Sequence, residues 1–214
     1  MAATAGYNAK LYRSGTSTAM TAEATTLVTG KTYRITNAAK RMLDPSVAVV
    51  VDDGGSPVSA SDILSIDYLH GLVTFDPSYT VSGAITFDAN YLPLSQIADV
   101  YNASFSTSVM MLDDTVYEDA QVSRLAGLKD ISGSFSCYDE GATALSSLLA
   151  AGTVLYLTWQ QTGSGSTPHL RARVLLESED ASAAVDGLIE STYNFTGASL
   201  KSVEGRDVSW SFAY

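Results

Sequence analysis

Residue types that mark catalytic or disulfide-bonded proteins are scarce in this sequence of 214 residues. Its one cysteine, Cys137, cannot form an internal disulfide, and its two histidines, His70 and His169, lie in no catalytic or metal-binding motif. Nucleophile-elbow, phosphate-loop and His-x-x-x-His patterns are missing as well. We therefore expect no enzyme activity, no metal site and no cofactor.

Long apolar runs are also missing. Aliphatic stretches such as 47–51 fall far short of the roughly 20 apolar residues of a membrane-spanning helix. The opening residues, 1–6, lack the basic region and the apolar stretch of a secretory signal. We expect neither a membrane anchor nor export.

Charged residues make up only 16% of the sequence, and the formal net charge is −11. Residues 1–93 hold six basic and eight acidic residues, whereas residues 94–214 hold six basic and fifteen acidic residues. Nucleic-acid affinity comes largely from cations that neutralise phosphates. An acidic chain of this kind is expected to repel DNA rather than bind it.

Period-two alternation is abundant and is accompanied by many β-branched and aromatic residues, which predicts an all-β fold of sandwich or barrel type. One short helix is predicted near 141–151, between the acidic pair Asp139 and Glu140 and the stop at Gly152. The predicted strands are 7–12, 31–36, 47–52, 63–69, 72–76, 84–91, 101–111, 128–138, 153–160, 170–177, 189–196 and 207–214.

Three segments are predicted along the chain. Residues 1–43 form an N-terminal arm and first strands, residues 44–93 form a β-rich insertion or small subdomain, and residues 94–214 form the main β-domain. The second boundary follows Pro93, where the charge balance changes and proline ends a strand ladder. The acidic connection between Met111 and Gly127 is long for a loop, and we expect it to order against a partner.

Alternation also assigns faces to two of the predicted strands. In 101–111 one face carries Tyr101, Ala103, Phe105, Thr107, Val109 and Met111, and the other carries Asn102, Ser104, Ser106, Ser108 and Met110. In 128–138 one face carries Ile131, Phe135 and Cys137, and the other carries Asp130, Ser132, Ser134 and Ser136. The polar faces are candidates for a wall that meets water.

The order of segments in the second half is characteristic. A Ser/Thr-rich strand at 101–111 is followed by the acidic loop, by 127–135, by the helix, by 152–157 and by the strand 189–197, and the opening 1–12 fits the same pattern. This order resembles the major tail tube proteins of long-tailed, siphovirus-type bacteriophages.

The resemblance implies a structural protein of the virion tail, assembled in the host cytoplasm. It implies stacked hexameric rings in which each subunit adds strands to a ring-wide β-barrel, around a lumen that DNA traverses during ejection without specific binding. The implied partners are further copies of the chain and other tail proteins, such as the tape measure, terminator and baseplate proteins.

Two groups of residues become site candidates on this interpretation. The lumen-facing candidates are Asp130, Ser132, Ser134, Ser136, Glu190, Thr192 and Asn194. The candidates for contact between rings are Asp113, Asp114, Val116, Tyr117, Glu118 and Asp119, together with the N-terminal arm at 1–7.

Other interpretations remain open at this point. The polar face is also compatible with an ordinary solvent-exposed sheet, and the chain with a tail terminator or a baseplate ring protein of the same fold. A carbohydrate- or receptor-binding β-sandwich would show an exposed aromatic cluster near Trp159 or Trp210, although core packing is favoured for both. An enzyme would need a carboxylate pair assembled from distant strands.

Overall fold

β-Strands dominate the computed structural model, which describes residues 10–97, 100–114, 124–138, 142–160, 169–183, 189–208 and 210–212. These residues form seventeen strands and one α-helix. The predicted all-β fold with one short helix is therefore confirmed.

The chain divides into two units. The first unit consists of Met1–Ile97, Leu155–Arg173 and Ser199–Tyr214, and the second consists of Ala98–Val154 and Val174–Ala198. The three-segment division at 43/44 and 93/94 stays a prediction.

The first unit contains most of the shorter strands. They are β1 (Lys10–Ser14), β2 (Thr18–Thr29), β3 (Thr32–Ile35), β4 (Val50–Asp53), β5 (Ser56–Pro57), β6 (Ile63–Asp67), β7 (Leu72–Phe75), β8 (Ile85–Tyr91) and β9 (Leu94–Gln96). Later in the chain come β12 (Val154–Gln160, of which Val154 belongs to the second unit), β15 (Leu200–Lys201), β16 (Asp207–Val208) and β17 (Trp210–Phe212). Single 3₁₀ turns occupy Ala38–Lys40 and Ala60–Asp62.

Seven strands of the first unit form one antiparallel sheet in the order β5-β4-β8-β2-β3-β7-β6. Alternate residues of these strands turn inward, so the sheet encloses an apolar core. Its buried members include Ile35, Val51, Val73, Phe75 and Phe87. The residues 44–93 thus contribute a large share of this core.

The second unit is built from fewer and longer strands. They are β10 (Val100–Asp113), β11 (Arg124–Tyr138) and β14 (Ile189–Gly197), with the helix α1 (Ala142–Ala150) between β11 and β12. β13 (His169–Ala183) begins in the first unit and continues into the second, where its residues 174–183 pair with β14. The strand order in this unit is β10-β11-β14-β13, all antiparallel.

The predicted hairpin across His70 and Gly71 is confirmed. β6 and β7 pair antiparallel with Asp67 opposite Leu72. Gly71 adopts a φ of 61°, and a Cβ there would lie 2.8 Å from the carbonyl oxygen of Arg41. Both the left-handed backbone and the close approach require glycine at this position.

The strand bounds differ from the prediction at two places. β2 is missing from the predicted strands, because its inward-facing residues are few and Ala22, at a φ of 49°, interrupts its pairing with β8 between Met20 and Glu23. The loop predicted from Met111 to Gly127 is too long, because β10 continues to Asp113 and β11 begins at Arg124.

A buried carboxylate fixes one loop of the first unit. Asp53 on β4 accepts hydrogen bonds from the Tyr79 hydroxyl at 2.9 Å, the Ser82 amide at 2.7 Å and the Gly83 amide at 2.5 Å. Burial works to raise the pKa of Asp53, but these hydrogen bonds outweigh it and hold the pKa below its ordinary value. The charged form therefore stabilises the segment that leads into β8.

Candidate assembly surface

The lumen-facing candidates lie together on one face of the second unit's sheet. From Ile131 onward β11 alternates, with Ile131, Phe135 and Cys137 buried and the side chains of Ser132, Ser134 and Ser136 on the opposite face. β14 does the same, burying Ser191, Tyr193 and Phe195. We call the opposite side the polar face. It contains the candidates Asp130, Ser132, Ser134, Ser136, Glu190, Thr192 and Asn194.

Strand register sets these polar residues in rows that cross the sheet. One row joins Ser104, Ser134, Asn194 and Ser178, and the next joins Asn102, Ser136, Thr192 and Asp180. Within the rows, the hydroxyls of Ser104 and Ser134 are 3.0 Å apart, those of Ser136 and Thr192 are 2.8 Å apart, and the Asn194 amide donates to Ser178 at 2.9 Å. Cross-strand bonds of this kind stabilise a sheet and occupy side-chain donors that would otherwise reach for a ligand.

Ser136 differs from the other candidates because the residue is only 8% exposed. Its hydroxyl lies 2.8 Å from that of Thr192. Ser136 is therefore a buried member of the polar face and contributes little to its solvent-exposed surface.

A tyrosine pair closes one end of the polar face. The rings of Tyr101 and Tyr138 stack with centroids 4.7 Å apart, and the Tyr101 hydroxyl donates to the Glu190 carboxylate at 3.0 Å. Partial burial and this hydrogen bond raise the pKa of Tyr101. Alternation placed Tyr101 on the apolar side, which is wrong, because a bulge between Val100 and Asn102 turns it over.

The opposite face of the sheet is a packed apolar layer. Phe135 stacks on Tyr193 with centroids 5.3 Å apart, and Phe105 lies 5.5 Å from Phe195 across Gly133. Helix α1 contacts this layer through Ser146, whose hydroxyl is 3.2 Å from that of Tyr193. Burial raises the pKa of Tyr193 to about 12. One face of the sheet is thus committed to the core, and the polar face is left for another role.

β10 and β11 extend beyond the rest of the sheet. Pairing of β11 with β14 runs from Ser132 to Tyr138, whereas pairing of β10 with β11 continues to Asp113 opposite Arg124. Residues 107–113 and 124–131 therefore form a two-stranded extension, which we call the arm. An isolated two-stranded hairpin is only marginally stable in water, so an arm of this kind gains stability when another surface covers it.

The arm exposes large apolar side chains to solvent. Met110 is 58% exposed, Met111 62% and Leu128 79%. The remaining exposed apolar residues of the arm are Val109, Leu112 and Leu125. An exposed apolar surface of this kind commonly marks a contact with another protein.

The candidates for contact between rings are only partly within the described residues. Asp113 lies in register with Arg124 at the end of the arm, and Asp114 is the exposed residue that follows it. Val116, Tyr117, Glu118 and Asp119 lie outside the described residues, as does the N-terminal arm at 1–7.

The net charge is concentrated in one unit. The first unit contains ten basic and ten acidic residues, so its formal charge is zero. The second unit contains two basic and thirteen acidic residues, and it carries the full formal charge of −11. Counting the charges of residues 1–93 and 94–214 gave a smaller difference. Four basic residues that follow residue 94 belong to the first unit, namely Arg171, Arg173, Lys201 and Arg206.

Arg171, Asp67 and His70 form a polar cluster in the first unit that holds one turn of the fold in place. The Arg171 guanidinium donates to the Leu69 carbonyl, and Asp67 accepts the amides of Leu69 at 2.9 Å and His70 at 3.1 Å. Burial lowers the pKa of Arg171 to about 10 and raises that of Asp67. The His70 ring nitrogen lies 3.3 Å from the Ser211 carbonyl oxygen, so the β6–β7 turn is held against β13 and β17.

Neither a metal-binding cluster nor a membrane-spanning helix is found in the described part of the chain. Among its residues, no group of three His, Cys, Asp or Glu side chains has a metal-binding arrangement. Trp159 and Trp210 are both half-buried, and the His169 side chain lies outside the described residues. The described helix is too short to cross a membrane.

No family model and no curated protein matches the chain. Among solved structures, one described as the tail of an empty GTA particle computed with helical refinement and C6 symmetry is 16% identical, with a TM-score of 0.45, and the match covers 57% of this chain and 87% of that chain. A second, described as the virion of a native gene transfer agent particle, is 14% identical, with a TM-score of 0.44, and the match covers 56% and 89%. At these TM-scores neither likeness carries an argument about this chain.

Proposed function

We propose that this chain is a structural protein of a phage-type tail, which polymerises as stacked hexameric rings into a tube that conducts DNA. The observation that carries the proposal is the second unit's combination of a long edge strand, an exposed apolar arm and a bonded polar face. The ring number and the stacking come from the resemblance of the sequence to tail tube proteins.

The edge strand favours self-association. β10 stands at the end of the strand order and has 14 residues, which is about 46 Å of backbone at about 3.3 Å per residue. Among the described strands none pairs with the second edge of β10. A long edge of this kind offers its amides and carbonyls to any complementary strand, and proteins usually cover or pair such an edge. A closed ring of copies whose sheets pair edge to edge satisfies β10 and produces the ring-wide β-barrel.

The polar face suits the wall of a lumen. Three hydrogen bonds join serine, threonine and asparagine side chains of this face across the strands, and they occupy donors that could otherwise reach a phosphate backbone. The charged residues that strand register places on it, Asp130, Asp180 and Glu190, are all acidic. Like charges within about 8 Å repel at physiological salt. DNA would pass such a wall without adhering.

The arm suits the contact between rings. Its exposed methionines and leucines gain free energy when another subunit covers them, and Asp113 and Asp114 stand at its end to pair with basic residues of the next ring. Tape measure, terminator and baseplate proteins are the other partners that this role in the virion would require.

Methionine oxidation tests the proposal directly. Hydrogen peroxide converts exposed methionines to sulfoxides, so Met110 and Met111 should react quickly in dilute protein, and the buried Met20 and Met42 slowly. In concentrated protein that forms particles, peptide mass spectrometry should show Met110 and Met111 protected. Equal oxidation of the arm methionines in particles and in dilute protein would contradict the proposed contact.

A further inference from the structure

The separation of charge between the two units has a consequence for assembly, and the inference rests on the proposed function. We infer that the acidic polar face makes self-association dependent on salt. Copies repel one another through this face when few cations are present, and they polymerise when cations screen it. The chain thus stays dispersed until the ionic conditions, or a cationic partner, permit a tube to form.

The second unit cannot neutralise its own charge. The unit contains thirteen acidic residues but only two basic ones, Arg124 and Lys129. The first unit balances its charge and forms ion pairs of its own, such as Lys40 with Glu23 at 2.5 Å. The field that one copy presents to another therefore originates mainly in the second unit.

Three acidic residues occupy the polar face itself. Asp180 lies opposite Thr192, Glu190 lies opposite Tyr138, and Asp130 lies opposite Ser108. In a closed ring, the polar faces of all copies would turn toward one shared space. Each copy then adds three negative charges to that space, and the repulsion grows with every subunit that joins.

Screening sets the range of this repulsion. The Debye length is about 30 Å at 0.01 M salt and about 8 Å at 0.15 M. At 0.01 M salt, a charge on one copy therefore acts on neighbouring copies. At 0.15 M salt, it acts only on groups within about 8 Å. Raising the salt concentration should therefore remove most of the electrostatic barrier and leave the apolar arm and the edge strand to drive association.

A pair of matched variants tests the inference. The first replaces Asp130→Asn, Asp180→Asn and Glu190→Gln on the polar face, and the second replaces Asp52→Asn, Asp62→Asn and Asp207→Asn in the first unit. Both variants have three fewer negative charges and near-identical side-chain shapes. The fraction of protein that sediments as particles would be measured for both variants and for the original chain, from about 0.01 to about 1 M NaCl.

The original chain should assemble with a midpoint at intermediate salt. Reducing the charge of the second unit from −11 to −8 lowers the repulsion between two such units to about half, so the midpoint of the polar-face variant should fall about twofold or more. The first-unit variant should shift by less than half as much. Circular dichroism would verify that both variants are folded.

Two results would overturn the inference while leaving the proposed function intact. One is equal assembly of the original chain at all salt concentrations, and the other is an equal shift in the two variants, which would assign the effect to total charge. If no protein forms particles at any salt concentration, the proposed function itself fails.

Discussion

Replacing Leu128 with threonine should weaken assembly without harming the folded subunit. Leu128 is 79% exposed, so its side chain contributes little to the stability of the isolated chain. Threonine retains a good strand propensity and one methyl group. Complete burial of a leucine is worth about 1.5–3 kcal/mol, and because threonine keeps part of this, the loss on assembly should be about 1–2 kcal/mol.

A loss of this size corresponds to a factor of about 5–30 in an equilibrium constant. The critical concentration for particle formation, measured by sedimentation, should rise by that factor. The matched control is Leu64→Thr, because Leu64 is 60% exposed but belongs to β6 of the first unit. The reasoning would be refuted if Leu128→Thr left the critical concentration unchanged, or if both variants raised it equally.

Further predictions concern the stability of each unit. A Cβ at Gly133 would lie 2.1 Å from the Ser104 carbonyl oxygen and 2.6 Å from the Phe195 ring, so Gly133→Ala should destabilise the protein by about 1–3 kcal/mol; an unchanged urea midpoint would contradict this packing. Asp53→Asn should cost about 1–3 kcal/mol at neutral pH, because an amide NH₂ would face hydrogen-bond donors. Since the folded-state pKa of Asp53 is depressed, its contribution is present above about pH 4 and is lost as the pH falls through that pKa. The stability difference between Asp53→Asn and the original chain should therefore shrink below about pH 4 in urea titrations, and a difference that grew in acid would show that the carboxylate is not the stabilising form.

The alternation in β11 and β14 could be predicted from sequence because one face of each strand is a packed core. A shift by one residue would expose Phe135 or Phe195 and bury charge, so the pattern is tightly constrained. The members of the polar face follow from the same constraint. Their arrangement in bonded rows does not, because strand register depends on pairing across distant parts of the chain.

Bulges account for the main errors. Tyr101 was assigned to the wrong face because the bulge after Val100 adds one residue to β10 without a mark in the sequence. A second irregularity, between Val109 and Met111, breaks the alternation in the arm, where the predicted strands 101–111 and 128–138 stop short of the ends of β10 and β11. Both errors arise where local pairing overrides the period-two pattern.

The separation of charge was only partly visible in the sequence. Counting along the chain showed that the second half is more acidic, but the basic residues of 155–173 and 199–214 fold into the first unit. The complete separation depends on topology, because segments that are distant in sequence belong to one unit. The prediction that self-association depends on salt rests on this separation of charge between the units.

The central claim is that the chain assembles with itself into a tube, and negative-stain electron microscopy of the purified protein tests it most directly. At a salt concentration that permits assembly, the account predicts long hollow tubes with a regular axial repeat. Discrete rings that never elongate would favour a terminator or baseplate ring protein. Isolated globular particles at every protein and salt concentration would contradict the account.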